Sequence, residues 1–182
     1  MRIISGSARG RKLEAPEGVG TRPTADRFRE MLFDTLQFRV RDARFLDLFS
    51  GSGAAALEAL SRGAASAVLV ERDPKALACI QKNIDNTGFR EQCRVLAEDV
   101  QTAVFRLGRE QAAFDLIFMD PPYERGWEEQ TAAWIREAGI LKEDGLLIAE
   151  SSSRTGINLP GWTVVKEKIQ RVTKFTFLQL EQ

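Results

Sequence analysis

From residue 44 onward, short apolar runs alternate with helical segments, and this alternation limits the folds open to the chain. Five runs are typical of buried strands, at 44–49, 67–70, 94–97, 114–119 and 146–149. Amphipathic helices separate them; one is predicted to start at an Asp73 N-cap and to stop at Gly88. Strands alternating with helices form a mostly parallel sheet, so the predicted class is Rossmann-like α/β. The last runs, 163–166 and 174–180, predict an antiparallel strand pair at the sheet edge.

Acidic side chains lie at the ends of four of the predicted parallel strands. They are Asp47, Glu71, Asp99 and Asp120. Sheets of this kind bind their ligands beyond the carboxyl ends of the strands. The four acids are therefore expected to surround a single site.

The loop Ser50–Gly53, directly after the first strand, is rich in glycine and predicts a cofactor site. Its pattern fits the dinucleotide-binding motif, and Glu71 follows at the distance of a ribose-binding acid. Asp47 argues for a different cofactor, because a carboxylate there suits the cationic aminoacyl end of S-adenosylmethionine and repels a pyrophosphate. Asp99 is placed to accept a hydrogen bond from an adenine amino group. The sequence favours S-adenosylmethionine, and a nicotinamide cofactor is the alternative.

The tetrapeptide Asp120-Pro121-Pro122-Tyr123 ends the fourth strand and predicts chemistry on an exocyclic amine. Such an amine is a poor nucleophile because its lone pair is delocalised into the ring. A carboxylate and the carbonyl of Pro121 can each accept one N–H and turn the lone pair towards a methyl donor. The two prolines stiffen the loop, which places these acceptors in advance. Tyr123 offers a ring on which an extruded base can stack.

Composition excludes several other chemistries. The 182 residues fit one domain and contain no histidine, which removes Ser-His-Asp triads, Cys-His dyads and HExxH zinc sites. The two cysteines, Cys79 and Cys93, lack metal-binding spacing and are expected to be buried and inert. The net charge is zero, but residues 1–44 carry +4, which is compatible with binding a polyanion. We expect a cytoplasmic monomer that requires neither a metal nor a membrane.

The chain resembles, nearly from end to end, the RsmD-type family of bacterial methyltransferases that act on a guanine N2 of 16S ribosomal RNA. Five motifs carry the resemblance: Arg2-Ile3-Ile4-Ser5-Gly6 with Arg9-Gly10-Arg11, Thr21-Arg22-Pro23-Thr24 with Asp26-Arg27 and Arg29-Glu30, Asp47–Gly53, Glu58–Ala64 and Asp120–Tyr123. Ala55-Ala56 departs from the family, where a larger residue and a glycine are expected. The last strand pair follows it only loosely.

The resemblance implies a seven-stranded class I methyltransferase fold at 41–182, preceded by an RNA-contacting extension at 1–40. We expect this extension to hold a β-hairpin and a helix that Thr24 caps, with Phe28, Leu32 and Leu36 on its apolar face. The implied partner is 16S ribosomal RNA within an assembling small subunit. The cofactor-binding residues would be Asp47, Phe49, Ser50, Gly51, Gly53, Glu71, Arg72, Asp99 and Val100. The RNA-binding residues would be Arg2, Arg9, Arg11, Lys12, Arg22 and Arg27, with Arg22 near the reaction centre.

Other functions remain open at this point. Adenine N6 in DNA or RNA is the nearest alternative, because the tetrapeptide can position any exocyclic amine, and a glutamine amide is a further one. From other classes, the chain could be a nicotinamide oxidoreductase or a non-catalytic RNA-binding assembly factor.

Overall fold

The protein is a seven-stranded sheet with helices on both faces. The computed structural model describes residues 1–16, 23–122 and 126–181. The strands are β1 (Arg44–Asp47), β2 (Ser66–Glu71), β3 (Cys93–Ala97), β4 (Phe114–Met119), β5 (Leu141–Ser152), β6 (Trp162–Gln170) and β7 (Thr173–Leu180). The helices are α1 (Pro23–Thr35), α2 (Ala54–Ser61), α3 (Pro74–Thr87), α4 (Val100–Arg109) and α5 (Trp127–Ala138). None of the helices within these ranges is long and apolar enough to cross a membrane.

The strand order is β3-β2-β1-β4-β5-β7-β6. The first five strands are parallel, and β7 lies antiparallel between β5 and β6. This confirms the predicted parallel sheet with its antiparallel edge pair. The strand order reverses between β1 and β4, which is where such sheets bind ligands.

Central strands bury both of their faces, as parallel strands covered by helices must. Along β4, Leu116 and Phe118 pack in one apolar cluster, whereas Ile117 and Met119 pack in the other. The first cluster joins the sheet to α1, α2, α3 and the N-terminal segment (residues 1–16). The second joins it to α4 and α5. The site described below lies at the carboxyl ends of the strands, with one part on the side of the first cluster and the other on the side of the second.

The bounds of helix α3 agree with the sequence, whereas the start of α1 differs from the prediction. The side chain of Asp73 caps α3 by accepting from the N–H groups of Lys75 and Ala76, and the helix ends at Gly88 with a positive φ of 80°. The prediction that Thr24 caps the first helix was wrong, because α1 already begins at Pro23, where the fixed φ of proline suits a first turn. Helices were also expected before and after the fourth strand, but the bounds of α4 and α5 were not predicted from the sequence.

The N-terminal segment is held against α2 by a buried acid. Glu58 is fully buried, and its two carboxylate oxygens accept from the backbone N–H groups of Ile4 and Ser5 at 2.8 and 3.0 Å. Arg62 donates to the same carboxylate at 2.8 Å. The expected hairpin is reduced to a loop whose ends pair through a single bridge between Arg2 and Lys12. This docking brings the first residues of the chain to the edge of the candidate site.

Candidate active site

Strand register places the acids of β1, β4 and β5 side by side. Asp47 pairs with Phe118, and Met119 pairs with Ala149, so Asp120 and Glu150 are the next neighbours on adjacent strands. Because side chains alternate between the faces of a strand, Phe118, Asp120 and Glu150 share the face that α1 covers. Three carboxylates therefore converge at one edge of the sheet.

These carboxylates line a cavity of about 320 Å³, here called the acidic cavity. Its floor is the sheet, and its walls are the loop after β1, helix α1 and the N-terminal segment. Its lining includes Asp47, Asp120 and Glu150, the aromatic rings of Phe28, Phe118 and Phe175, and the N-terminal residues Met1, Ala15 and Pro16. The N-terminal segment is thus part of the wall of the site.

Asp47 is an acid with an unsatisfied oxygen. Only 1% of the residue is exposed, and its Oδ1 has no hydrogen-bond partner among the described residues. Burial, with a smaller contribution from the charge of Asp120, raises the pKa of Asp47 to about 7. The backbone N–H groups of Phe49 and Ala56 offset this only in part. A buried acceptor of this kind suits a ligand that brings a cation or an N–H donor.

Asp120 and Glu150 also resist ionisation. The side chain of Asp120 is exposed to the solvent of the cavity. Desolvation by the surrounding protein, together with the charge of Glu128, raises the pKa of Asp120 to about 6. Burial and the charge of Asp120 raise the pKa of Glu150 to about 8. The cavity therefore favours cationic or hydrogen-bond-donating ligands.

The loop between β1 and α2 has the conformation that its glycines permit. Gly51 and Gly53 have φ values of 53° and 79°, in the left-handed region that L side chains rarely adopt. A Cβ on Gly53 would also meet the Leu69 side chain at 3.0 Å. The buried hydroxyl of Ser50 donates to the carbonyl of Asp47 at 3.0 Å, which ties the loop to the strand end. The loop backbone can consequently approach a ligand closely.

A second cavity, of about 520 Å³, lies on the other side of this loop. Phe49, Gly51 and Asp120 line both cavities, so the two adjoin at these residues. The second cavity is also lined by Glu71, Arg72, Glu98, Asp99, Val100, Pro121, Pro122, Trp127 and Trp134. Six of the nine residues predicted to bind the cofactor line this second cavity. Of the other three, which are buried, Asp47 and Ser50 line the acidic cavity, and Gly53 lines neither.

Two acids of the second cavity already have backbone partners. Glu71 accepts from the N–H of Gly51 at 2.9 Å, which joins the end of β2 to the glycine loop. Asp99 caps α4: its oxygens accept from the N–H and hydroxyl of Thr102 at 3.0 and 2.7 Å. These bonds to Thr102 lower the pKa of Asp99 and keep it ionised.

Of the reactive tetrapeptide, the structure describes Asp120, Pro121 and Pro122. Pro121 is buried and Pro122 is exposed, and both line the second cavity. Tyr123 lies outside the described residues, as does Arg22. Asp120 stands at the junction of the two cavities, which is the position that the predicted chemistry requires of it.

Basic residues of the N-terminal segment and α1 meet at the surface. Arg2, Arg9 and Arg27 line a cavity of about 480 Å³ together with Asp26 and Glu30, here called the basic cavity. Arg11 and Lys12 are exposed on the same loop. Five of the six residues predicted to bind RNA therefore lie on or beside one patch.

Sequence reasoning missed several residues of the two cavities. Glu150 lies within an apolar strand and belongs to no motif, so only the register of β4 and β5 reveals it. Glu98 pairs with Arg106 at 3.0 Å, yet its buried Oε1 has no partner among the described residues. Trp127 and Trp134 form an edge-to-face pair with centroids 6.3 Å apart. Their signal was the amphipathic pattern of α5.

The strand order, the helices on both faces and the glycine loop define a Rossmann-like class I methyltransferase fold. The family described as Conserved hypothetical protein 95 matches residues 1–179. The chain belongs to this family, and its resemblance to the RsmD-type methyltransferases is confirmed.

Individual relatives agree with this assignment. The chain is 38% identical to ribosomal RNA small subunit methyltransferase D of Escherichia coli K12, over all of this chain and 90% of the relative. The solved structure of the Escherichia coli protein yhhF superposes with a TM-score of 0.87 at 37% identity, covering 100% of this chain and 98% of that one. A tRNA1(Val) (adenine(37)-N6)-methyltransferase of Shewanella sp. MR-4 is 31% identical over 71% of this chain and 55% of its own length.

Proposed function

We propose that this protein transfers a methyl group from S-adenosylmethionine to the exocyclic N2 amine of a guanine in 16S ribosomal RNA. The observation that carries the proposal is the position of Asp120, which lines both the acidic cavity and the second cavity. A side chain there can hold a target amine against a methyl donor bound across the glycine loop.

The residues present fit the cofactor. The unsatisfied Oδ1 of Asp47 is an acceptor for the ammonium of the aminoacyl end, and the glycine loop leaves room for its backbone. Glu71 would bind the ribose hydroxyls. Asp99 and Val100 would contact the adenine, beside the rings of Phe49 and Trp127. When bound, S-adenosylmethionine supplies a methyl group on a cationic sulfur, which keeps the electron pair of the broken S–C bond.

The role of Asp120 follows from the chemistry of the amine. Its carboxylate accepts one N–H of the target, and the carbonyl of Pro121 accepts the other, which localises the nitrogen lone pair for attack. As the N–C bond forms, the nitrogen must lose a proton. A carboxylate with a pKa of about 6 is ionised at neutral pH and still basic enough to take that proton. The reaction then needs no histidine.

Two observations favour ribosomal RNA as the substrate. A relative that matches this whole chain is named as a small-subunit ribosomal RNA methyltransferase. The basic cavity adjoins an N-terminal segment whose ends also line the acidic cavity, so phosphate contacts there would guide a nucleotide to the site. Adenine N6 is the second candidate, because the Shewanella relative carries that activity in its name. That relative matches a smaller part of this chain.

Replacing Asp120 tests the catalytic assignment. Asp120→Ala should lower methyl transfer by roughly 10²–10⁴-fold, while S-adenosylmethionine still binds, because Asp47 and Glu71 remain. Turnover with labelled cofactor and calorimetric titration of the cofactor give the two readouts. Asp115→Ala, at the opposite end of β4, is the matched control and should keep its turnover. Near-normal turnover of Asp120→Ala would refute the role of this residue.

Salt dependence tests the basic cavity. If Arg9 contacts a phosphate, Arg9→Ala should weaken RNA binding and reduce the slope of log K against log salt by about one. Lys168→Ala, an exposed cation on the edge strand β6, should leave the slope unchanged. RNA binding that does not respond to salt would remove the basic cavity from the proposal.

A further inference from the structure

Glu150 is an acid that the proposed cofactor contacts do not use. It lies on β5 directly opposite Phe175 in the antiparallel pairing with β7. Its neighbour across the parallel pairing is Asp120, and neighbouring strands lie about 4.8 Å apart. The two carboxylates therefore present adjacent acceptors to the acidic cavity.

No group of the described protein neutralises Glu150. Its carboxyl makes no hydrogen bond or ion pair there, although the residue is only partly exposed. The residues with charged groups that line the same cavity are Asp47, Asp120, Arg29 and Met1, whose amino terminus forms no ion pair with Glu150. Arg29 already bonds to the Arg2 carbonyl and Asp26 and lies 3.6 Å from Glu58. The fold thus holds an acid where its ionised form is disfavoured and gives its oxygens no partner, which is typical of a group that contacts a ligand.

The walls around Glu150 suit a planar base. Phe118 and Phe175 have ring centroids 6.3 Å apart, and Phe28 lines the same cavity. Apolar walls exclude water, so a hydrogen bond made or lost inside them changes binding more than it would in solvent. A hydrogen-bonding group in such a place can discriminate between similar bases.

We infer that Glu150 selects guanine by accepting a hydrogen bond from the N1–H beside the reacting N2 amine. The inference rests on the proposed function. Guanine carries its N1–H and N2–H donors next to each other on one edge, which matches the adjacent acceptors Glu150 and Asp120. Adenine carries a bare acceptor, N1, beside its N6 amine. An ionised carboxylate repels that acceptor, and a cationic cofactor in the same cavity favours the ionised form.

A base analogue separates this contact from general loss of activity. 2-Aminopurine keeps the amine at C2 but has an acceptor at N1. Once the methylated guanine is mapped, small subunits are reconstituted with RNA that carries 2-aminopurine at that position only. The wild-type protein should methylate guanine at least about tenfold faster than 2-aminopurine, since a site built for a donor leaves its acceptor unpaired with the analogue.

Variants of Glu150 should change this ratio in a defined way. Glu150→Ala should slow methylation of guanine and leave that of 2-aminopurine nearly unchanged, so the ratio falls towards one. Glu150→Gln should keep most of the preference, because the amide oxygen still accepts the N1–H. Glu150→Leu keeps the side-chain volume but has no acceptor. It should lower the ratio of guanine to 2-aminopurine methylation in the same way, and it replaces the alanine variant if that variant does not fold. Glu143→Ala, exposed on the same strand, is the control and should keep the wild-type ratio.

Two results would overturn the inference. A guanine preference that is unchanged in Glu150→Ala and Glu150→Leu, both with intact cofactor binding, would show that another group reads N1. Equal rates on the two bases for the wild-type protein would do the same. In both cases guanine is methylated, so the proposed function stands. No methylation of guanine by the wild-type protein would overturn both.

Discussion

Two buried acids on the same side of the sheet differ in how many hydrogen-bond partners the protein gives them. Under the N-terminal segment, Glu58 is fully buried and receives two backbone N–H groups and the Arg62 guanidinium. In the acidic cavity, Asp47 is 1% exposed, and one of its oxygens has no partner among the described residues. One carboxylate is satisfied by the protein, and the other is not.

The difference indicates what each acid does. A buried charge that is paired and hydrogen-bonded holds a structure together, and removing one partner strands the others. A buried charge left without a partner lowers stability and is retained where a ligand will meet it. Glu58 therefore builds the site by docking the N-terminal segment, whereas Asp47 keeps an acceptor free for the cofactor that we propose.

The largest effect should come from removing Glu58. Glu58→Ala leaves Arg62 and the N–H groups of Ile4 and Ser5 without their acceptor, so it should lower the free energy of unfolding by roughly 3–5 kcal/mol. Urea denaturation measures this. Glu137→Ala, exposed on α5, should stay within about 0.5 kcal/mol of wild type. A similarly small effect for Glu58→Ala would mean that the docking does not depend on this acid.

Replacing Gly6, where the N-terminal segment contacts α2, should have the next largest effect on the free energy of unfolding. Gly6 has a φ of 84°, and a Cβ there would lie 1.7 Å from the carbonyl oxygen of Ser61. Gly6→Ala should therefore cost about 2–3 kcal/mol through strain and displacement of the loop. Gly10 has nearly the same φ, 83°, but an added methyl there would have no atom within 4 Å, so Gly10→Ala isolates the backbone strain of about 1 kcal/mol. Equal losses in the two variants would contradict close packing at Gly6.

The smallest expected effect has the opposite sign. Asp47→Asn removes an unfavourable buried charge, so it should raise the free energy of unfolding by about 1–2 kcal/mol at pH 8. The same change should weaken S-adenosylmethionine binding, which would show that the charge serves the ligand. Ser50→Ala, three residues further along in the glycine loop, keeps the charge and should not stabilise the protein.

The pH dependence of the Asp47 effect has a definite direction. The folded-state pKa of about 7 lies above the ordinary value of 3.8, so the unfolded chain loses this proton first as the pH rises. The contribution of Asp47 to stability is present below about pH 4 and is lost as the pH rises through about 7. The gain from Asp47→Asn should consequently vanish near pH 4. A gain independent of pH would point to packing instead.

The sequence predicted those features whose residues lie close together along the chain. The apolar runs, the glycine loop and the Asp73 cap of α3 each carry their signal within a few residues. Asp47 and Asp120 were predicted to face each other because each lies near the end of a predicted strand, and parallel strands end at one edge of the sheet. The fold could be predicted for the same reason.

The remaining features depend on contacts between distant residues. Glu58 binds Ile4 across 54 residues, and nothing in the helix sequence indicates an acid turned inward. Glu150 reaches the site only through the register of three strands. Thr24 and Asp99 show a different problem, in which neighbouring residues decide the outcome. Thr24 was predicted to cap the first helix, but α1 begins at Pro23. Asp99 was predicted as an adenine contact, and it also caps α4 through Thr102.

The most direct test of the central claim is to identify the methylated nucleoside. Small ribosomal subunits that lack the modification are incubated with labelled S-adenosylmethionine and the protein, and the label is mapped in the digested RNA. We expect N2-methylguanosine at one position with the wild-type protein and none with Asp120→Ala. Label in N6-methyladenosine, or equal labelling by both proteins, would contradict the proposed chemistry.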